Sequence, residues 1–125
     1  MATLAWVCAG GALGSGARFL LAGWLTARAG APFPAGTLAV NLLGSFLLAL
    51  LLQVPTATLP TATRTALASG VLGGFTTYSA FSFETFAQLE TGAPGIALGY
   101  VAATLLGCLA ACWLGTACGR LAFAA

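Results

Sequence analysis

The sequence predicts an all-α membrane protein, a single domain over residues 1–125 with four transmembrane helices, the third broken mid-membrane. Three observations carry that expectation. Of 125 residues, 60% are hydrophobic and only 5% charged, whereas about a quarter of a soluble domain is charged. The apolar residues fall into four runs near the ~20 residues that a helix needs to cross a hydrocarbon core. The third run contains GVLGGFTTYSAFSFE, residues 70–84, which gathers glycines, hydroxyls, rings and an acid. Irregular backbone at membrane depth is tolerated only where protein or a water-filled cavity covers it.

The charged residues are Arg18, Arg28, Arg64, Arg120, Glu84 and Glu90, with no Lys, His or Asp. Six charges cannot build a water-facing surface. A net charge of +2 without a basic patch excludes nucleic acid as a partner. With no His, no metal-ligand motif and no nucleophile–base pair, the chain is not read as an enzyme. Cys8, Cys108, Cys112 and Cys118 lack the CxxC or His spacing of a metal site and read as small packing residues. Residues 1–7, MATLAWV, lack the positive region of a signal peptide, so structure is expected almost at once.

The first span is expected at about residues 4–25, followed by the turn ARAGAPFP over 27–34. The second covers about 36–54 and stops before Pro55 and Pro60. The third covers about 65–89, with its interruption near 73–77, where Gly70, Gly73 and Gly74 free the backbone from helical geometry. The fourth covers about 95–117, after a break at 91–94. It carries Gly95, Gly99, Ala103, Gly107, Ala111, Gly115 and Gly119 at every fourth position, a stripe that allows close helix contact within the chain or across a dimer.

Four spans put both termini on one side. Arg64 and Arg120 then lie on that side, and Arg28, with Arg18 nearby, on the other. Orientation normally follows an excess of Lys and Arg in cytoplasmic loops. This near balance permits insertion either way up and antiparallel self-pairing, but a small bias that fixes one orientation fits the count as well. Four short helices enclose little space, so a pathway is expected between subunits.

Polar residues line up on single faces. Thr37, Asn41, Gly44 and Ser45 recur at i, i+4, i+7 and i+8 on the second span. Tyr100, Thr104 and Cys108 do so on the fourth, and Tyr78 and Phe81 share a face of the third. Intramembrane Ser and Thr often bond only their own helix, but a buried Asn41 amide needs a partner. Amide and hydroxyl hydrogens and ring edges all present partial positive charge. Such a lining suits a small anion that sheds water without being trapped by a fixed cation.

With these motifs the chain resembles the Fluc, or CrcB, family of fluoride channels. The resemblance rests on GGALGSGAR at 10–18, GTLAVNLLGSF at 36–46 and GGFTTYSAFSFE at 73–84, and covers nearly the whole length. It implies an antiparallel, dual-topology homodimer, or a heterodimer with a related chain, with two fluoride pathways at the subunit interface. It implies a multi-pass protein of the bacterial inner membrane, surrounded by lipid, that lets fluoride leave passively and so relieves its toxicity. By position, Tyr78 and Phe81 match the pore-lining rings and Asn41 the pore asparagine, while Thr37, Tyr100, Thr104 and Cys108 fall on the polar track. Arg18 matches a vestibule arginine and Glu84 a glutamate at the pathway's end. Gly73 and Thr76 match positions whose backbone carbonyls hold a structural sodium ion that is not transported. The chain departs from the family pattern at Tyr78, where Phe is usual, at Ala80, where a hydroxyl is common, and at Cys108, where a Ser-like hydroxyl is replaced.

Two other readings compete. A coupled transporter like the small multidrug exporters would need a carboxylate in the first span, and this first span has none. A non-transporting membrane scaffold would use the small-residue stripe for assembly alone.

Overall fold

A computed structural model describes residues 1–29 and 33–123, and among them no residue is in a strand. Helix α1 runs Ala2–Ala29 and α2 runs Ala35–Leu51. The third helical stretch is composite: α3 (Thr61–Thr65), a π-helical turn (Ala66–Leu72) and α4 (Gly73–Phe75). Helices α5 (Tyr78–Glu90) and α6 (Pro94–Phe123) follow.

Helices α1 and α6 are each long and apolar enough to cross a membrane, and α2 is apolar but shorter. The outer faces carry Leu13, Phe19, Leu20, Trp113 and Leu121, all exposed. Large apolar side chains in that number, with so few charges, match a surface solvated by lipid. The chain is a membrane protein.

Several helix ends differ from the sequence expectation. Of the turn expected over 27–34, residues 27–29 continue α1, and Arg28 lies over the Trp24 ring at 4.2 Å. Residues 30–32 lie outside the described residues. Helix α2 stops at Leu51, and Arg64 closes its end. Its guanidinium donates to the carbonyls of Leu51 (3.4 Å) and Leu52 (3.3 Å) and to that of Val54. The last carbonyls of a helix have no partner within it and favour a cation, so Arg64, read from sequence as an orientation charge, also serves as a cap. After α5, Gly92 takes a φ of +76°, and the Ala93 N–H reaches back to the Gln88 carbonyl at 2.9 Å. That left-handed residue ends the helix, and Pro94, whose ring presets helical φ, begins α6.

The core lies where α2, α5 and α6 meet, around the fully buried Val40 and Tyr100. Helix α2 packs chiefly on α6, and α1 chiefly on the π-helical turn and α4. The α1 contact is backbone against backbone. A methyl added at Gly70 would stand 2.8 Å from the Val7 carbonyl oxygen, and one at Gly74 would stand 2.6 Å from that of Gly11.

This changes the reason for the interruption. Gly73 is helical, with φ −65° and ψ −37°, and the extended residues are Thr76 (φ −82°, ψ 157°) and Thr77 (φ −150°, ψ 117°). Gly70 and Gly74 therefore supply closeness to α1, and two β-branched residues with an extended preference leave the helix. The small-residue stripe on α6 also divides. Methyls at Gly115 and Gly119 would strike α2 or the Gln53 side chain beyond it, whereas Gly95 and Gly99 face nothing within 4 Å.

Candidate functional site

The site is built around the extended pair Thr76–Thr77. A peptide unit that leaves a helix strands its N–H and C=O, and burial makes that costly. Asn41 of α2 resolves both at Thr77. Its Oδ1 accepts from the Thr77 N–H at 2.8 Å, and its Nδ2 donates to the Thr77 carbonyl at 3.0 Å. Asn41 and Thr77 are both 8% exposed, so water is a poor substitute. The Thr77 hydroxyl in turn accepts from the Ala80 N–H at 3.2 Å, capping α5.

A consequence falls on the carbonyls upstream. In an unbroken helix the Thr77 N–H would donate to Gly73, but here it donates to Asn41. The Gly73 carbonyl thus loses its usual donor. The Thr76 carbonyl follows an extended residue and is likewise outside the helical ladder. Oxygens of this kind suit a hard monovalent cation.

Beside the break lies an open groove of about 350 Å³. Asn41, Tyr78, Phe81, Thr104, Cys108 and Cys112 contribute to its wall, and no charged side chain does among the described residues. Thr104 borders the groove, and its hydroxyl oxygen is buried with no partner among the described residues. An unpaired buried hydroxyl costs about 1–3 kcal/mol, which a ligand accepting its proton would offset. The rings of Tyr78 and Phe81 sit 5.5 Å apart and tilted; Phe81 is buried, while Tyr78 is 76% exposed.

The predicted track does not lie in one place. Asn41, Thr104 and Cys108 share the groove, but Thr37 and Tyr100 meet at Glu84 instead. The Thr37 hydroxyl donates to Glu84 Oε1 at 2.6 Å and the Tyr100 hydroxyl to Oε2 at 2.7 Å. Tyr100 is held between two rings, Phe81 at 5.2 Å and Phe33 at 5.5 Å, both edge-on. Glu84, Thr37 and Arg18 border a second space of about 620 Å³, and Thr77 borders both spaces. Phe81 contributes to the groove wall and packs edge-on against Tyr100, which bonds Glu84 on the border of the larger space.

Sequence reasoning missed three contributors. Phe33 lay in an expected turn, with nothing to tie it to Tyr100. Ser15, whose hydroxyl donates to the Gly74 carbonyl at 3.4 Å, lay within an apolar run. Thr77 lies among the hydroxyls of residues 70–84, and a Thr ahead of a helical pattern is a recognisable cap.

The family model described as "CrcB-like protein, Camphor Resistance (CrcB)" matches residues 5–116. A protein of Anaeromyxobacter dehalogenans named "Fluoride-specific ion channel FluC" is 51% identical over 118 residues, covering 93% of this chain and 94% of its own. One of the same name from Geobacter metallireducens is 46% identical, covering 96% and 98%. A third, from Agrobacterium fabrum, is 44% identical over 125 residues, covering 98% and 100%.

Proposed function

This chain belongs to the CrcB family, and we infer from that premise that it is a passive fluoride-selective channel that relieves fluoride toxicity. The single observation that carries the reading is the groove, whose wall among the described residues has no charged side chain and includes Thr104, with a hydroxyl that has no partner among them. Fluoride holds its water tightly. To leave water it needs hydrogen donors, and to move on it needs each of them to be weak. The Thr104 hydroxyl, the second N–H of the Asn41 amide, the Cys108 thiol and the ring edges of Phe81 and Tyr78 provide such a series.

Anions enter through the larger space, where Arg18 raises their local concentration, and pass Thr77 and Phe81 into the groove. Glu84 engages the hydroxyls of Thr37 and Tyr100 at the pathway's end. No energy coupling is required. An inside-negative membrane expels an anion with about 2.3 kcal/mol per 100 mV, while neutral HF re-enters only from acid surroundings.

The assembly is an antiparallel, dual-topology dimer in the bacterial inner membrane, of two identical chains or of this chain and a relative. Each chain contributes four spans, with the third broken at Thr76–Thr77. The exposure of Tyr78 and the openness of the groove support a second chain completing the pathway, and the near balance of arginines supports pairing in opposite orientations. The Gly73 and Thr76 carbonyls of two chains would together offer four oxygens to one sodium ion at the dimer axis. That ion would neutralise the carbonyl ends exposed by the break and stays in place.

The test uses purified protein in liposomes, a potassium gradient with valinomycin and a fluoride electrode. Rapid fluoride efflux is expected. None, while an established channel works alongside, overturns the reading.

A further inference from the structure

Two native thiols share the groove with the fluoride pathway. Cys108 and Cys112 are both free, half-buried and part of the groove wall. They stand four residues apart on α6, so their Cβ atoms lie about 5–6 Å apart on one face. The Cys112 thiol is turned toward α2, donating to the Ser45 carbonyl at 3.5 Å. Cys8 and Cys118 are exposed elsewhere.

We propose that Cys108 and Cys112 form a two-coordinate site for the mercuric ion inside the groove, and that its occupancy blocks fluoride passage. Thiolates select soft cations. Zinc would need four ligands, and no cluster of three or more His, Cys, Asp or Glu exists among the described residues. A linear bis-thiolate complex needs only two. Its formation is balanced: Hg²⁺ and two R–SH give Hg(SR)₂ and two H⁺, two S–Hg bonds replacing two S–H bonds without a redox change. The product is neutral, so it avoids the penalty of placing charge in a low-dielectric seam. Silver or cuprous ion with the same two thiolates would leave a net negative charge there.

Two effects on fluoride follow. The metal occupies part of the groove, and Cys108 loses its S–H donor. This part of the proposal rests on the fluoride-channel reading, whereas metal capture does not.

The experiment starts from a C8S/C118S background, in which both remaining thiols lie in the groove. Mercuric chloride is titrated into the purified, dimeric protein, with thiolate-to-mercury absorption and fluoride efflux both followed. One tightly held ion per chain is expected, with efflux lost in parallel and restored by excess dithiothreitol. Adding C108S or C112S should weaken mercury retention against a competing monothiol on the order of a hundredfold, because the second bond is intramolecular. Equal retention by the two-thiol and single-thiol proteins overturns the site. Tight one-to-one capture with unchanged efflux overturns the block. If untreated protein carries no fluoride, the channel reading fails, and the absorption titration still decides the site.

Discussion

Replacing Asn41 with Ala removes the only side chain that pairs both backbone groups of Thr77 among the described residues. Two buried peptide groups are left without partners. At about 1–3 kcal/mol for each unsatisfied group, the loss is about 2–6 kcal/mol. Hydrogen bonds between membrane helices average only about 0.6 kcal/mol, because separated helices find other partners. An extended dipeptide has no such refuge in lipid, so the larger range applies. Reversible unfolding in mixed micelles, monitored by tryptophan fluorescence, measures the difference, and gel filtration checks assembly. Asn41→Asp is the companion variant. It keeps an acceptor for the Thr77 N–H but sets an oxygen against the Thr77 carbonyl, so it should also be destabilised and should abolish fluoride flux. Unfolding of Asn41→Ala within about 0.5 kcal/mol of the parent, the range of an indifferent surface change, would refute the role given to this amide.

Other outcomes follow from the same contacts. Phe81→Ile should abolish fluoride efflux in liposomes while gel filtration shows assembly unchanged; a non-transporting scaffold would be indifferent. Tyr100→Phe and Thr37→Val each remove one donor from Glu84, which should cost about 1–3 kcal/mol apiece. Their double variant, measured by the same unfolding assay, should be non-additive because both share one acceptor group. Gly14→Ala would drive a methyl into the Val71 carbonyl, and overpacking of this kind costs about 1–3 kcal/mol, read as a lower unfolding midpoint. Exchanging sodium for N-methylglucamine throughout purification should reduce dimer content on gel filtration, if the Gly73 and Thr76 carbonyls hold that ion.

Much of the scaffold was readable because lipid enforces it. A run of apolar residues that must satisfy every backbone group internally has few options besides a helix, so α1, α2 and α6 were visible as stretches, with ends set by local chemistry. Pro94 and Gly92 marked one such end openly. Arg64 did not, because its carbonyl partners Leu51, Leu52 and Val54 are ten or more residues away in sequence. The extended pair Thr76–Thr77 lies at the end of the 73–77 stretch, but Gly73 itself is helical. Glycine permits both a helix and its interruption, and only packing against Val7 and Gly11 shows which use is made of Gly70 and Gly74.

The face pattern on α2 brought Asn41 to notice, but not its attachment to Thr77, since a period of 3.6 tells which residues share a face and not what stands opposite. The same limit explains Thr37 and Tyr100. Both lie on the faces expected of them, yet Glu84 gathers their hydroxyls away from Thr104 and Cys108. Fluoride is implied by three motifs and their order, at 10–18, 36–46 and 73–84, and not by spacing alone.

The most direct measurement compares chloride with fluoride in the same liposomes, using sodium-containing buffer and the assembled protein, with any required partner chain present. Weak donors without a fixed cation should pass fluoride rapidly while chloride efflux stays at the level of protein-free vesicles. Chloride leaving as readily as fluoride would contradict the account.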